Sequence, residues 1–174
     1  MLRKIFPTIL LIMLILIFLV SAGLTGEDEK KSVRVEIISA VTTLEPQQIG
    51  ISLQFQGMDK DGYLRFGSHK TGKERPPKDN IFLIVNFSAY NESDDEINVQ
   101  ASDFSVVDKD GSKYKGSLWH PDFKAWSDSM GTVIKGKEVN KDKIIFKVPK
   151  TQAKKLIFLF QNEPVGDVIY SNKK

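Results

Sequence analysis

Oxygen-bearing side chains recur in two short motifs, and these residues are the first candidates for chemistry in the chain. The sequence Asp-Lys-Asp-Gly occurs at 59–62 and again at 108–111. Its carboxylates are hard oxygen ligands of the kind that calcium prefers; they belong to Asp59, Asp61, Asp108 and Asp110. An EF-hand loop needs further ligands and a distal Glu, and neither motif has them at that spacing. Asp-Gly is also typical of hairpin turns, so we favour turns and keep a low-affinity calcium site as the alternative.

A second group of candidates is aromatic. Both tryptophans of the chain lie within residues 118–126, in what the pattern predicts to be a long loop between strands. Exposed rings on a loop could contact a protein or glycan partner, since Trp is enriched at binding hot spots. Alternatively, the same rings close one open end of the fold. The candidate contact residues are Trp119, His120, Phe123 and Trp126.

Catalytic chemistry has little material in this sequence. The chain has no Cys, which excludes disulfides, thiol nucleophiles, Cys-zinc sites and lipid attachment at a cysteine. His120 and Asp122 could act as a base and its orienting group, but no Ser motif or oxyanion device accompanies them. We interpret His120 and His69 as exposed loop residues. We therefore predict no enzyme and no cofactor, and rank a metal-dependent hydrolase last.

One short motif fits the pattern of a glycan acceptor. Asn91-Glu92-Ser93 matches Asn-x-Ser, and the polar run 91–95 predicts a loop between two strands. Such a loop would present the Asn91 side chain to solvent. Asn91 is therefore the glycan candidate.

The amino-terminal segment, residues 1–26, predicts export. A basic start precedes an apolar run over residues 5–20, and small residues follow it. This order is typical of a secretory signal, with cleavage after Ala22. The alternative is an uncleaved anchor, because residues 5–24 are about long enough to span a bilayer as a helix. Under either interpretation the cations predict a cytoplasmic N-terminus and a remainder outside the cytoplasm.

The charge balance carries little information about partners. The chain has 25 Lys+Arg against 22 Asp+Glu, a formal net charge of +3. Arg3 and Lys4 are the only charged residues before Glu27, so the exported part has 23 basic residues and a net charge of +1. We therefore predict no nucleic-acid partner. A charged linker over 27–32 leads into one domain over 33–172, which is large enough to bury a core.

The exported part shows the alternation of β-strands. Apolar and polar residues alternate with period two in several short runs rich in aromatic and β-branched residues. The longest runs from Ile81 to Tyr90 and begins apolar on both faces, as in a central strand. No segment has a sustained helical stripe. The pattern predicts an all-β, antiparallel sandwich of about seven or eight strands, preceded by the N-terminal hydrophobic helix.

Residues 76–170 resemble a known family. A strand with Val85-Asn86 is followed by Asp103-Phe104-Ser105-Val106-Val107-Asp108 and then by Gly111 and Tyr114. Lys135-Gly136 and a strand ending at Val148-Pro149 come later. This order is similar to the DUF4352 family of telokin-like, immunoglobulin-fold exported domains. Lys135 departs from the Pro that is common there before Gly136. The resemblance implies an immunoglobulin-like sandwich, often at the cell envelope, without established chemistry.

These features together predict a binding or interaction module outside the cytoplasm. Its contact surfaces would be strand edges and the loops around Asn91 and Trp119, and its partner a protein or a glycan at the cell envelope. If residues 5–24 are uncleaved, the membrane is a further partner. The alternative is an anchored structural subunit of a surface assembly.

Overall fold

The domain that follows the amino-terminal segment is built almost entirely of strands. A computed structural model describes residues 33–70, 72–153 and 155–172. The predicted signal or anchor, residues 1–26, and the linker over 27–32 lie outside the described residues. Within the described part of the chain, no helix has the length and apolar character needed to cross a membrane.

Within residues 33–70, 72–153 and 155–172 the strands follow one another closely, and one 3₁₀ turn lies at Ala101–Asp103. In chain order, β1 to β15 are Val33–Thr43, Gln47–Gln48, Ile51–Met58, Leu64–Lys70, Lys73–Glu74, Asn80–Asn91, Ile97–Gln100, Phe104–Asp108, Lys113–His120, Ala125–Ser127, Gly131–Ile134, Val139–Pro149, Leu156–Phe160, Glu163–Asp167 and Tyr170–Asn172.

One nine-stranded sheet folds back on itself to form the two layers of the sandwich. Its order is β14-β13-β8-β9-β12-β6-β1-β15, with β10 added to the side of β9. Neighbours pair antiparallel except β1 and β15, which run parallel. The first half of β9 pairs with β8, and the second half pairs with β12 and β10. Strand β9 therefore passes from one layer into the other.

The bend in β9 occurs at Gly116, where there is no room for a side chain. A Cβ atom there would lie 2.6 Å from Cδ1 of Ile144 and 2.7 Å from Cε1 of Phe146. Both neighbours are fully buried in β12. Glycine therefore lets the two strands approach closely enough for the sheet to fold over.

Aromatic rings from both layers fill the space between them. Phe87 of the first layer lies 4.6 Å, centroid to centroid, from Phe104 of the second, and Phe104 stacks on Phe158 at 5.6 Å. Phe146 meets Phe158 edge-on at 6.1 Å. These four rings are almost completely buried, as alternation along a half-buried strand requires. They account for much of the hydrophobic stabilisation of the fold.

A smaller apolar cluster lies on the opposite face of the first layer. Phe82 and Ile145 point outward from β6 and β12 and are buried against Ile49 and Trp126. The short pair β2–β5 and the hairpin β3–β4 begin beside this cluster, where the Gly50 N–H donates to the Trp126 carbonyl at 2.8 Å. The first layer is therefore apolar on both faces along part of its length, as the start of the 81–90 run predicted.

The all-β sandwich is confirmed, but it has more strands than the pattern predicted. Strand β9 was missed because Lys113, Lys115 and Gly116 interrupt its alternation where the layers join. Strand β12 begins at Val139, before the apolar run that predicted it. The pattern missed its first half because those residues are exposed or partly exposed on both faces. The predicted long loop over 118–126 is wrong, since these residues form the end of β9, a tight turn and β10.

Candidate functional site

The carboxylate of Asp59 closes the first Asp-Lys-Asp-Gly turn. Its Oδ1 accepts from the backbone N–H groups of Asp61 at 3.0 Å and Tyr63 at 2.9 Å. Its Oδ2 lies 3.8 Å from Nε of Arg65. Gly62 has a φ of +85°, which explains why glycine occupies this position. The motif is a turn between β3 and β4, as we favoured.

The second motif repeats the same arrangement between β8 and β9. Oδ1 of Asp108 accepts from the backbone N–H groups of Asp110 and Ser112, each at 2.9 Å. Oδ2 of Asp110 accepts from the side-chain amide of Gln152 at 2.8 Å. The carboxylates of Asp59, Asp108 and Asp110 therefore have protein partners. In the described part of the chain, no three His, Asp or Glu side chains lie close enough together to hold a metal ion.

Asp108 differs from Asp59 in having a partly buried tyrosine hydroxyl as the partner of its second oxygen. The Tyr114 hydroxyl donates to Oδ2 of Asp108 at 2.7 Å, and Asp108 is only 6% exposed. This hydrogen bond is the main cause that holds the pKa of Asp108 below its ordinary value, although desolvation acts in the opposite direction. The same bond raises the pKa of the Tyr114 phenol. The pair stabilises the β8–β9 hairpin.

Asn91 is not the exposed loop residue that the acceptor pattern predicted. It is the last residue of β6 and is 0% exposed. Its Nδ2 donates to the carbonyls of Asp95 at 2.7 Å and Ile134 at 3.0 Å, and its Oδ1 accepts from the N–H of Ser93 at 2.9 Å. A glycan would replace one of the two hydrogens on Nδ2, so at least one donated bond would break, and the buried site would have to open to admit the sugar. In the folded domain, Asn91 therefore joins β6 to the following loop and to β11.

The aromatic candidates lie together on one hairpin. Trp119 on β9 is directly opposite Trp126 on β10, and their rings meet edge-on with centroids 5.0 Å apart. His120 and Phe123 form a second pair at 4.5 Å beside the turn. Lys124 adopts a φ of +47°, which closes this four-residue turn. All four candidates are therefore brought together.

The two tryptophans have different environments. Trp126 is 3% exposed, packs in the outer apolar cluster and donates from Nε1 to Oε1 of Gln47 at 3.2 Å. Trp119 is only partly buried at the edge of that cluster. The expectation that the rings close an end of the sandwich is wrong, because they pack on the outer face of a layer. Trp119 remains available as a contact residue.

Trp119 belongs to a row of side chains that crosses the outer face of the first layer. The Nζ atom of Lys143 on β12 lies 4.7 Å from the centroid of the Trp119 ring. Lys143 pairs with Asn86 on β6, and Asn86 pairs with Ser39 on β1. Nδ2 of Asn86 donates to Oγ of Ser39 at 2.9 Å. The row Ser39-Asn86-Lys143-Trp119 therefore extends over four adjacent strands.

A groove of about 420 Å³ opens along this row, and we call it the Trp119 groove. A β-bulge in β1 turns Ile38 outward, so that 54% of its surface is exposed at the rim of the groove. The lining of the groove includes Ile38, Asn86, Trp119, Pro121, Lys141 and Lys143. Because four paired strands carry the row, the backbone under the groove is held rigidly.

Asp142 lies at one side of the groove and has the one carboxylate of its lining. Burial raises the pKa of Asp142, although the Lys143 N–H and the Thr132 hydroxyl, which donates to Oδ2 at 2.9 Å, oppose the shift. His120 also acts on this carboxylate electrostatically. His120 is a strand residue, not an exposed loop residue, and its Nδ1 is buried without a hydrogen-bond partner. His69 likewise lies in a strand, β4.

Sequence reasoning found the aromatic residues of the groove but missed Asn86, Lys143 and Asp142. Lys141, Lys143 and Ile145 alternate along β12, so one face could have been recognised as cationic and then apolar. Lys143 lies beside Trp119 because β12 pairs between β6 and β9. No local sequence pattern shows this strand order.

Fold and site together define an antiparallel β-sandwich with an aromatic hairpin on one outer face. The chain belongs to the family described as a domain of unknown function, DUF4352, which matches residues 57–169. The predicted resemblance is confirmed, and the match begins earlier than the residue at which we expected it. No curated protein matches the chain.

Three solved bacterial structures are among those similar to this chain. An uncharacterized beta-sandwich protein from Clostridium difficile is 14% identical, with a TM-score of 0.44 over 78% of this chain and 83% of its own. A conserved hypothetical protein from Bacillus anthracis is 12% identical, with a TM-score of 0.40 over 81% and 100%. A functionally unknown protein from Listeria monocytogenes is 12% identical, with a TM-score of 0.36 over 72% and 75%.

Proposed function

We propose that this chain is a non-enzymatic binding module of the cell envelope and that it contacts its partner through the Trp119 groove. The observation that carries the proposal is a partly exposed tryptophan, with an ammonium group over its ring, inside a groove on a rigid sheet. Such a combination offers an apolar surface, a charge and hydrogen-bonding groups in one place. Binding sites in proteins commonly combine these three features.

Three parts of the proposal rest on the sequence. The envelope location rests on the pattern of residues 1–26, which is typical of a signal or an anchor. The non-enzymatic character rests on the absence of Cys and of any nucleophile motif beside His120. The immunoglobulin-like form of the sandwich rests on the family resemblance, and the shared core between two layers supports it.

The partner is a protein or a glycan of the envelope, and one measurement separates the two. Tryptophan emission of the purified full-length chain is recorded while solubilised envelope extract is added. Protease treatment of the extract should abolish the response if the partner is a protein, and periodate oxidation should abolish it if the partner is a glycan.

The variant Trp119→Phe is the control, because it removes the reporting ring from the groove and leaves Trp126 in place. We expect an emission change with the wild-type chain that is lost in this variant. If the extract leaves wild-type emission unchanged, or if the response persists in Trp119→Phe, the Trp119 groove is not the contact site.

A further inference from the structure

We propose that the Trp119 groove binds an anionic glycan, whose sugar rings carry carboxylate or phosphate groups. This inference rests on the proposed function and names the class of ligand. It combines three properties of the groove: an aromatic surface, unbalanced positive charge, and a line of polar groups perpendicular to the strands.

The aromatic surface is held in position from behind. Trp126 supports the Trp119 ring edge-on at 5.0 Å and is itself anchored in the outer cluster. The faces of an aromatic ring carry partial negative charge and attract positively polarised groups. The C–H bonds on one face of a sugar ring have this polarity. Trp119 therefore offers a preorganised surface on which a sugar ring can stack.

The charge of the groove is positive. Lys141 and Lys143 are exposed on the same face of β12, and neither forms an ion pair with a carboxylate in the described part of the chain. The one carboxylate of the lining, Asp142, already accepts from Thr132 and from the Lys143 backbone. The groove lining thus has two cations and one carboxylate that is already hydrogen-bonded, and an anion would complement the two cations.

The position of Lys143 links the binding of an anionic group to the stacking of a sugar on Trp119. Its Nζ lies over the Trp119 ring at 4.7 Å, where it occupies the aromatic face in the absence of a stronger partner. A carboxylate or phosphate attracts an ammonium group more strongly than an aromatic face does. An anionic group on the ligand would therefore draw Lys143 away from the ring and leave its face to a sugar.

Polar side chains continue the line beyond Lys143. Asn86 donates to Ser39, which leaves the Oδ1 of Asn86 as an acceptor for a sugar hydroxyl. From Trp119 to Ser39 the row covers three inter-strand steps of about 4.8 Å each. A row of this length matches a short oligosaccharide that lies across the strands. A single free anion would contact only the lysine side chain of the row.

Four probes test the inference by calorimetric titration of the full-length chain. A short oligogalacturonate supplies carboxylates on sugar rings, and a phosphorylated mannan oligosaccharide supplies phosphates. Fully methyl-esterified oligogalacturonate keeps the ring and removes the charge. Inorganic polyphosphate keeps the charge and removes the ring. We expect at least one charged saccharide to bind, with a Kd at least about tenfold lower than that of the ester and of polyphosphate.

The matched variants are Lys143→Gln in the groove and Lys150→Gln in the exposed turn after β12. Lys143→Gln should raise the Kd for the charged saccharide about tenfold, whereas Lys150→Gln should leave it unchanged. Trp119→Phe should weaken saccharide binding. Because Lys143 and Lys150 are both exposed, each variant is expected to fold.

The remaining outcomes overturn the inference. Equal binding of the ester would show that charge is not recognised, and equal binding of polyphosphate that persists in Trp119→Phe would show that the ring is not recognised. Equal effects of the two Lys variants would place the binding outside the groove. If no saccharide binds but envelope extract still changes Trp119 emission, the inference fails and the proposed function stands. If neither produces a response, both fail.

Discussion

The hydroxyl of Tyr114 donates to the carboxylate of Asp108, six residues earlier on the opposite arm of the β8–β9 hairpin, at 2.7 Å. The turn between β3 and β4 has the same backbone bonds, but the second oxygen of its Asp59 lies 3.8 Å from Nε of Arg65 and accepts no bond from a Tyr hydroxyl. The Tyr114 hydroxyl can therefore be removed without changing the backbone bonds of its turn.

Tyr114→Phe should lower the Tm by roughly 2–4 °C at neutral pH, since one hydrogen bond to a carboxylate is lost in a domain of this size. The folded-state pKa of Asp108 lies below the ordinary value of 3.8, so this stabilisation is present above about pH 4 and is lost as the pH falls through the folded-state pKa. The folded-state pKa of Tyr114 is raised, so the same stabilisation is present below about pH 10 and is lost as the pH rises through that folded-state pKa.

Thermal unfolding across pH 2–11 measures this dependence, and Tyr63→Phe is the control. Tyr63 is 72% exposed at the other hairpin, so its hydroxyl contributes little. A Tm difference for Tyr114→Phe that stays constant over the whole pH range would show that the bond to Asp108 is not its cause.

Asp142→Asn should leave stability at pH 7 unchanged or raise it by less than about 1 kcal/mol, because the site retains contact with solvent. Burial raises the pKa of Asp142, so ionisation costs the folded state increasingly as the pH rises from the ordinary value of 3.8 through the folded-state pKa. The amide can still accept from the Lys143 N–H and donate to Thr132. At a pH below this range both Asp142 and the substituted Asn are neutral, so the stability difference between wild type and Asp142→Asn should vanish.

Denaturant unfolding at pH 3 and pH 7 compares wild type with Asp142→Asn. A large loss of stability in the variant at pH 7 would contradict the expected effect of burial.

Gly116→Ala should destabilise the domain by about 1–3 kcal/mol through overpacking. The new methyl group would lie within 2.7 Å of the fully buried Ile144 and Phe146. Ser117→Ala, at the next position, is the matched control, because Ser117 is only partly buried. Urea unfolding of both variants measures the cost, and equal midpoints would show that β9 and β12 can separate without penalty.

Asn91→Ala should cost about 2–3 kcal/mol, because it leaves the buried carbonyl oxygen of Ile134 without the Asn91 donor and also removes the bonds to Asp95 and Ser93. Asn98→Ala, at an exposed position of β7, should change stability by less than about 0.5 kcal/mol. Denaturant midpoints compare the two. The intact mass of protein from its native envelope is expected to show no glycan at Asn91, and a mass increment there would contradict the folded placement.

Acrylamide should quench the two tryptophans to different extents. Trp126→Phe leaves partly buried Trp119 as the emitter, and Trp119→Phe leaves buried Trp126. We expect stronger quenching and a more red-shifted maximum in Trp126→Phe. That variant should also lose about 1–3 kcal/mol of stability, with the bond to Gln47 and some packing. Identical quenching of the two variants would contradict their different burial.

The elements that could be predicted from sequence are those whose signal is local. The run 81–90 is predictable as a central strand because residues 81–85 are apolar on both faces, and the two Asp-Gly turns are predictable from their own residues. Strand β9 was missed because it changes layers at Gly116, and the residues that permit the bend interrupt its pattern.

The groove depends on strand neighbours, and for that reason it could be predicted only in part. Trp119 and Trp126 were candidates by residue type, but their different burial follows from Gln47 and Ile49, which are far away in sequence. Asn91 illustrates the opposite error. Its acceptor pattern is local, whereas its burial depends on the carbonyl of Ile134 on a strand 43 residues away.

The parallel pairing of β1 with β15 joins the first described strand to the last, from Ala40 opposite Tyr170 to Thr42 opposite Asn172. A pull applied to the start of β1 and the end of β15 acts along the strands in opposite directions. The hydrogen bonds of the pair are then loaded together in shear, not opened one after another. Separating β1 from β15 by such a pull would therefore require the hydrogen bonds of the pair to break together.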